Sequence, residues 1–184
     1  MALFDLNTGL RDQELVTLRW HWEVQVPELG CSVFILPEEI TKNGEERVLV
    51  LNRVARNVLE AQRGRHPEYV FSFRGRPLTR MNNTAWKKAR ARAGLHDLRA
   101  HDLRHTFGHR LRAAGVSLED RKALLGHRSD EITTHYSAPD LAHLLTCAER
   151  ACDEKRGTVL RVCMQNGGKN GGKMRRVPAT AASR

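Results

Sequence analysis

The chain of 184 residues is short of long apolar runs, of aromatic residues and of paired cysteines, and each shortage closes off a class of protein. Its longest uninterrupted apolar stretches, such as Val33-Phe34-Ile35-Leu36, run to four or five residues. A membrane-spanning helix needs about twenty. No basic segment precedes a sustained apolar one at Met1-Ala2-Leu3-Phe4-Asp5, so a secretory leader is not indicated and a cytoplasmic protein is expected. Cys31, Cys147, Cys152 and Cys163 contain no C-x-x-C pair, and no His stands at a familiar zinc-site spacing from them. Neither a disulfide framework nor a structural metal is therefore expected. Absent too are the P-loop, H-E-x-x-H, G-x-S-x-G and dinucleotide-binding glycine patterns, so the activities and cofactors they signal have no support. Aromatics make up 5% of the chain, with only two tyrosines. Tyr69 lies in the strand-like segment YVFSF, where an aromatic ordinarily packs in a core. Tyr136 has no such setting.

What is present fits one globular domain. Hydrophobic residues at 40% and charged residues at 28% allow a single buried core. The net charge of +10 is unevenly spread: residues 51–128 carry 18 basic and 6 acidic side chains, whereas residues 1–50 carry 4 and 9. Lys87, Lys88, Arg90, Arg92 and Arg99 follow in quick succession, then Arg104, Arg110 and Arg112. Such clustering is the electrostatic footprint of a polyanion partner, because each neutralised phosphate releases counterions; taken alone it serves equally as a solvated helix face. Residues 157–184 hold six basic side chains, no acid and two Gly-Gly pairs, the composition of a flexible basic tail. The expected division is a folded domain over 1–156 and a tail over 157–184.

Periodicity sketches the elements. Asn7-Thr8-Gly9 marks a turn or helix entry, and Leu10, Glu14, Leu15 and Leu18 follow at helical spacing. Segments near 21–26, 32–37 and 47–51 read as strands, with Asn43-Gly44 between the last two, so a three-stranded antiparallel sheet with Lys42 at a hairpin turn is expected. Helices are expected near 53–63, 79–93, 101–114 and 117–124, then from about 130 to Tyr136, and from Pro139 to about Lys155. On the helix after Asp97, Leu103, Phe107, Leu111 and Ala114 make a buried stripe, and Arg104 and His101 share the face beside it. The fold class is α+β, mainly helical.

Five short signatures occur in order: TGLRDQEL around Arg11, TKNGEERVLVL around Lys42, HDLRHTFGHRL around Arg104, LLGH ending at His127, and THYS around Tyr136. Arg104 precedes His127 by 23 residues and His127 precedes Tyr136 by 9. On these motifs, over about residues 3–155, the chain resembles the tyrosine recombinase family, which includes phage integrases. The resemblance implies site-specific recombination of double-stranded DNA, by strand cleavage and rejoining through a covalent 3′-phosphotyrosyl link, without a metal or nucleotide cofactor. It implies Tyr136 as nucleophile, with Arg11, Lys42, His101, Arg104 and His127 around the phosphate and Glu14 as the acidic residue supporting that pocket. It also implies a homotetramer on DNA, in which a carboxy-terminal segment reaches a neighbour. The amphipathic helix near 139–155 could be that donor or could fold back on its own core.

Phosphodiester chemistry gives its own reasons for these residue types. Negative charge concentrates on the non-bridging oxygens as a pentacoordinate transition state forms, and two Arg residues supply permanently charged planar donors for it. A phenol with a pKa of about 10 is protonated at neutral pH, so Tyr136 needs a proton acceptor, for which His101 is the candidate. The departing 5′-oxygen is too basic to leave unassisted, and Lys42 is its candidate proton donor. His127 would hydrogen-bond the phosphate. Singly, each has a plainer reading: Arg11 with Glu14 as a helix-surface ion pair, Lys42 as a solvated loop residue, the histidines as structural.

Members of the family usually carry a helical DNA-binding domain ahead of the catalytic one, and here Arg11 stands close to the start. A chain truncated at its amino terminus is therefore expected. Two other readings stay open: a non-catalytic DNA-binding remnant, and an enzyme like a type IB topoisomerase.

Overall fold

The computed structural model describes residues 1–127 and 137–152. Among the described residues are seven α-helices, a three-stranded sheet and a two-stranded one: α1 (Ala2–Thr8), α2 (Asp12–Val16), β1 (Glu23–Val26), β2 (Cys31–Leu36), β3 (Arg47–Leu49), α3 (Arg53–Glu60), β4 (Ser72–Phe73), β5 (Arg76–Pro77), α4 (Thr84–Arg92), α5 (Ala100–Ala113), α6 (Leu118–Leu125) and α7 (Ala138–Arg150). No helix among the described residues is long and apolar enough to cross a membrane. The α+β, mainly helical class expected from periodicity is the one observed.

Strands β1, β2 and β3 pair antiparallel in that order, with Val24 opposite Val33, Phe34 opposite Leu49 and Leu36 opposite Arg47. Successive side chains of a strand point to opposite faces. Phe34 and Leu36 accordingly enter one apolar cluster, with Phe4, Leu15, Leu49, Leu59 and Leu103, while Val33 enters a second, with Phe107, Leu111, Leu124 and Leu144. Helix α5 joins the two, since Leu103 belongs to the first cluster and Phe107 and Leu111, one and two turns on, to the second. The expected buried stripe is there, with Ala114 partly buried at its end.

Several boundaries differ from the sequence expectation. Asn7-Thr8-Gly9 closes α1 instead of opening a helix: Gly9 takes the left-handed conformation (φ 62°) and donates its N–H to the Asp5 carbonyl. The helix expected from 79 begins at Thr84, because Asn83 caps it by accepting from the Trp86 N–H and the Met81 N–H is taken by the Asp12 carboxylate. The link between β2 and β3 is no tight hairpin. After Pro37 comes a 3-10 turn over Glu38–Ile40, and of Asn43-Gly44 only Gly44 has positive φ, so the two-residue turn that needs both does not form. Tyr69 makes an isolated bridge to Arg19 and is half-buried beneath its guanidinium, outside the core that Val70 and Phe71 enter. Helix α7 folds back onto its own domain, burying Leu141, Leu144, Cys147 and Ala148. Tyr136, the helix expected from about 130 to Tyr136, and the tail over 157–184 lie outside the described residues.

Candidate active site

The site is assembled where α1, α2, β3, α5 and α6 meet, and its construction starts from a buried carboxylate. Glu14 sits in the first turn of α2, fully buried, and accepts from the Arg11 backbone N–H at 2.9 Å, from Arg11 Nη1 at 2.8 Å and from Arg47 Nη1 at 2.8 Å. Burial alone would raise its pKa; the charge of Arg47 and the hydrogen bonds from Arg11 outweigh burial and hold the carboxyl below the usual carboxylate value. Glu14 is thus ionised and divided between two arginines. Arg47 reaches it from β3, opposite Leu36, and its Nη2 donates to the Leu124 carbonyl at 2.7 Å.

The last carbonyls of α6 are used in the same way. Arg104 Nη2 donates to Leu125 O at 2.6 Å, and Arg11 Nη2 donates to Gly126 O at 3.0 Å. Carbonyls at a helix carboxy terminus have no intrahelical partner, and the helix dipole makes that end favourable to cations, so three arginines satisfy both needs at once. Arg104 also donates from Nη1 to the Gly9 carbonyl, tying α5 to the end of α1. Two glycines leave room for this. A Cβ at Gly126 (φ 60°) would overlap the Arg47 side chain, and one at Gly9 would press on Phe107 and Leu125. Burial, with repulsion from Arg47 and Arg11, lowers the pKa of Arg104 to about 10, which leaves it protonated at neutral pH.

Above this floor opens a cleft of about 460 Å³ lined by Arg11, Lys42, His101, Arg104 and His127, with His105, His109, Arg112, Arg121 and Lys122 around its edge. No carboxylate lines it among the described residues. Lys42 stands exposed on the β2–β3 connection, beside Asn43, whose side-chain amide donates to Gly126 O at 3.4 Å. His101, in the first turn of α5, is exposed and packs edge-on against His105 with ring centroids 4.3 Å apart. His127 follows the left-handed Gly126, which turns the chain out of α6. Both histidines have pKa values below the usual one: partial burial comes first in each, then His105 and Arg104 for His101, and Arg104 and Arg11 for His127.

Of the seven residues singled out in the sequence, five line one cleft and Glu14 lies beneath it; Tyr136 is outside the described residues. The sequence reading missed Arg47. Its signal was there to use: in RVLVL, Arg47 shares strand parity with Leu49 and Leu51, a cation on the inward face. What the arrangement offers chemically is a shallow, strongly cationic cleft with fixed guanidinium donors below and titratable imidazole and amine groups at its edge, the environment for one phosphodiester and its charged transition state.

Comparison with known proteins agrees with this geometry. Residues 1–143 match the model of the phage integrase family. The chain is 33% identical over 168 residues to the integrase of Salmonella phage P22, covering 84% of this chain and 42% of that protein. It is 33% identical over 133 residues to the shufflon-specific DNA recombinase of Escherichia coli (72% and 32%), and 34% identical over 146 residues to tyrosine recombinase XerC of Roseiflexus castenholzii (71% and 43%). The chain thus spans less than half the length of these relatives. With a family match over most of its length and the motif arginines and histidines gathered in one cleft, the chain belongs to the phage integrase family of tyrosine recombinases.

Proposed function

We propose that this chain is the catalytic domain of a site-specific DNA recombinase that cuts and rejoins double-stranded DNA through a 3′-phosphotyrosyl intermediate. The observation that carries the reading is the convergence of Arg11, Lys42, His101, Arg104 and His127, from four separate stretches of chain, on one cleft that no carboxylate lines among the described residues. The names of the relatives, an integrase and two recombinases, point the same way.

In this mechanism Arg11 and Arg104 hold the non-bridging oxygens of the scissile phosphate, and His127 adds a third donor. The Tyr136 oxygen attacks phosphorus, its proton passes to the neutral His101 imidazole, and the bond from phosphorus to the 5′-oxygen breaks as Lys42 gives that oxygen a proton. Rejoining is the reverse, with the 5′-hydroxyl of an exchanged strand as attacking group. One phosphodiester is conserved throughout, so the sequence of steps needs no external energy source. The lowered pKa values of His101 and His127 favour the neutral imidazole at neutral pH, which a proton acceptor requires. Assembly into a homotetramer on DNA belongs to the same reading. Head-to-tail exchange of a segment between protomers closes into a ring.

The test is a covalent-adduct assay with a nicked duplex that traps the cleaved strand. The expected result is a protein–DNA band resistant to denaturant and absent in Tyr136→Phe. Salt-sensitive DNA binding with no adduct in the parent chain would overturn the catalytic reading and leave a DNA-binding module.

A further inference from the structure

A second group of reactive side chains lies outside the cleft, on the seam between α6 and α7. Asp120, in the first turn of α6, faces His143 and Cys147, which stand one turn apart on α7. His143 Nε2 is 3.0 Å from Asp120 Oδ1 and 3.7 Å from Cys147 Sγ, and Cys147 Sγ is 3.8 Å from Asp120 Oδ2. The three donor atoms all fall within 4.8 Å of one another. A tetrahedral zinc with its usual bond lengths sets nitrogen and oxygen ligands roughly 3.3 Å apart and a thiolate roughly 3.5 Å from each. The observed contacts, 3.0 to 3.8 Å and reaching Asp120 through both of its oxygens, bracket those edge lengths.

The geometry is not that of a nucleophile with its relay. A relay needs the two ring nitrogens of the histidine to serve different partners, the base nitrogen toward the thiol and the other toward the carboxylate. Here Nε2 faces both, so the atoms converge on a point instead of forming a line. The Asp120 carboxylate is held in place by the Ser117 hydroxyl, which donates to Oδ2 at 2.7 Å while accepting from the Asp120 backbone N–H at 3.0 Å. Partners of this outer kind orient a ligand for its metal. Cys147 is buried, whereas the His143 side chain is 60% exposed, so the site opens to solvent on one side, where a water can complete the coordination.

We propose that Asp120, His143 and Cys147 form a divalent-metal site, selective for zinc, that staples α7 to α6. The donor set of thiolate, imidazole and carboxylate is that of zinc and is foreign to magnesium or calcium, which take oxygen. On binding, bonds form from the metal to Cys147 Sγ, His143 Nε2 and an Asp120 oxygen; the thiol proton leaves to solvent, and the imidazole keeps its proton on Nδ1. One thiolate and one carboxylate neutralise the ion. The staple joins the helix that leads into Gly126 and His127 to the helix that starts two residues after Tyr136. It therefore favours α7 on its own domain over its donation to a neighbour.

The experiment is titration of the full, reduced chain with Co²⁺ as a spectroscopic stand-in, followed by displacement with Zn²⁺. One equivalent should give intense visible bands of a tetrahedral site and a near-ultraviolet thiolate-to-cobalt band, both erased by one equivalent of Zn²⁺. Cys147→Ser should abolish the thiolate band. His143→Ala, an exposed position whose circular dichroism should match the parent, should weaken zinc binding at least about a hundredfold in competition with a chromophoric chelator, and Ser117→Ala about tenfold. Absence of the bands at stoichiometric cobalt, a thiolate band that survives Cys147→Ser, or unaltered zinc affinity in His143→Ala would each overturn the assignment. None of these readouts involves DNA, so failure of the recombinase reading leaves the result intact.

Discussion

Arg104 and Lys42 both present positive charge to the cleft, yet they are held in opposite ways. Arg104 is 5% exposed and each of its two terminal nitrogens donates one hydrogen bond, to the carbonyls of Gly9 and Leu125; Lys42 stands exposed on the connection between two strands. The same division runs through the whole site. Its floor, Glu14 with Arg11, Arg47 and Arg104, is a hydrogen-bonded network that also ties α1, α2, β3 and α5 to the end of α6. Its rim, Lys42, His101 and His127, contributes little to packing. Stabilisation of a transition state by fixed charge requires donors that do not reorganise, and the floor has that character. The proposed proton transfers fall to exposed side chains, and Lys42, His101 and His127 are all exposed.

The comparison breaks most sharply at Glu14. Replacing it by Ala removes the carboxylate that pairs with the buried Arg47, and loss of one member of such a buried pair costs about 3–5 kcal/mol. Urea unfolding should show a destabilisation of that size. If Glu14→Ala unfolds like the parent, the floor does not support the fold.

Asp5, in α1 below the floor, tests the same region through pH. It is buried, its Oδ1 has no hydrogen-bond partner among the described residues, and its pKa is raised to about 7, first by burial, against the opposing charge of Arg104. In the unfolded chain the group ionises at its ordinary value, near 3.8. The folded state therefore holds the proton more tightly. The associated stability is fully present below about pH 4 and is lost as pH rises through 7. Asp5→Asn keeps the neutral shape at every pH, so its stability should match the parent's at pH 4 and exceed it above pH 7 by an amount on the order of a few kcal/mol. Parallel stability–pH curves for the two proteins would exclude a neutral buried Asp5.

The smallest effect on stability is expected at the rim. Lys42→Ala and His101→Ala remove exposed side chains and should change unfolding free energy by less than about 0.5 kcal/mol, while adduct formation falls in both. NMR titration should place the His101 and His127 imidazoles below the usual histidine pKa, in line with their partial burial first and the positive charge beside them second. A rim variant that loses adduct only by unfolding would erase the distinction between the two regions.

Much of the architecture was legible from periodicity. The strands β1–β3, the helices α3 and α5–α7 and the buried stripe of α5 follow from the alternation and 3.6-residue spacing of apolar residues. The start of α4 and the β2–β3 link were not, because they turn on single polar contacts: the Met81 N–H taken by Asp12, the Asn83 cap, and one positive φ at Gly44 where a tight turn needs two. The seam between α6 and α7 shows the limit again. The expectation of no structural metal overlooked that His143 and Cys147 stand four residues apart on a helix; Asp120 lies 23 residues before His143, and only the packing of two helices brings its carboxylate to them.

By itself the sequence determined which residue types are available for phosphodiester chemistry and in what order they occur, since motifs and helical periods are local properties of the chain. Only the tertiary structure decided that Arg47 shares Glu14 with Arg11, that the end of α6 is capped by three guanidinium groups from three other segments, and that α7 packs on its own core. Apart from the local Arg11–Glu14 pair, the site contacts among these join residues 21 to 115 positions apart in the chain. They arise because a buried carboxylate and unsatisfied helix-end carbonyls must find donors, and the nearest donors in space are distant along the chain.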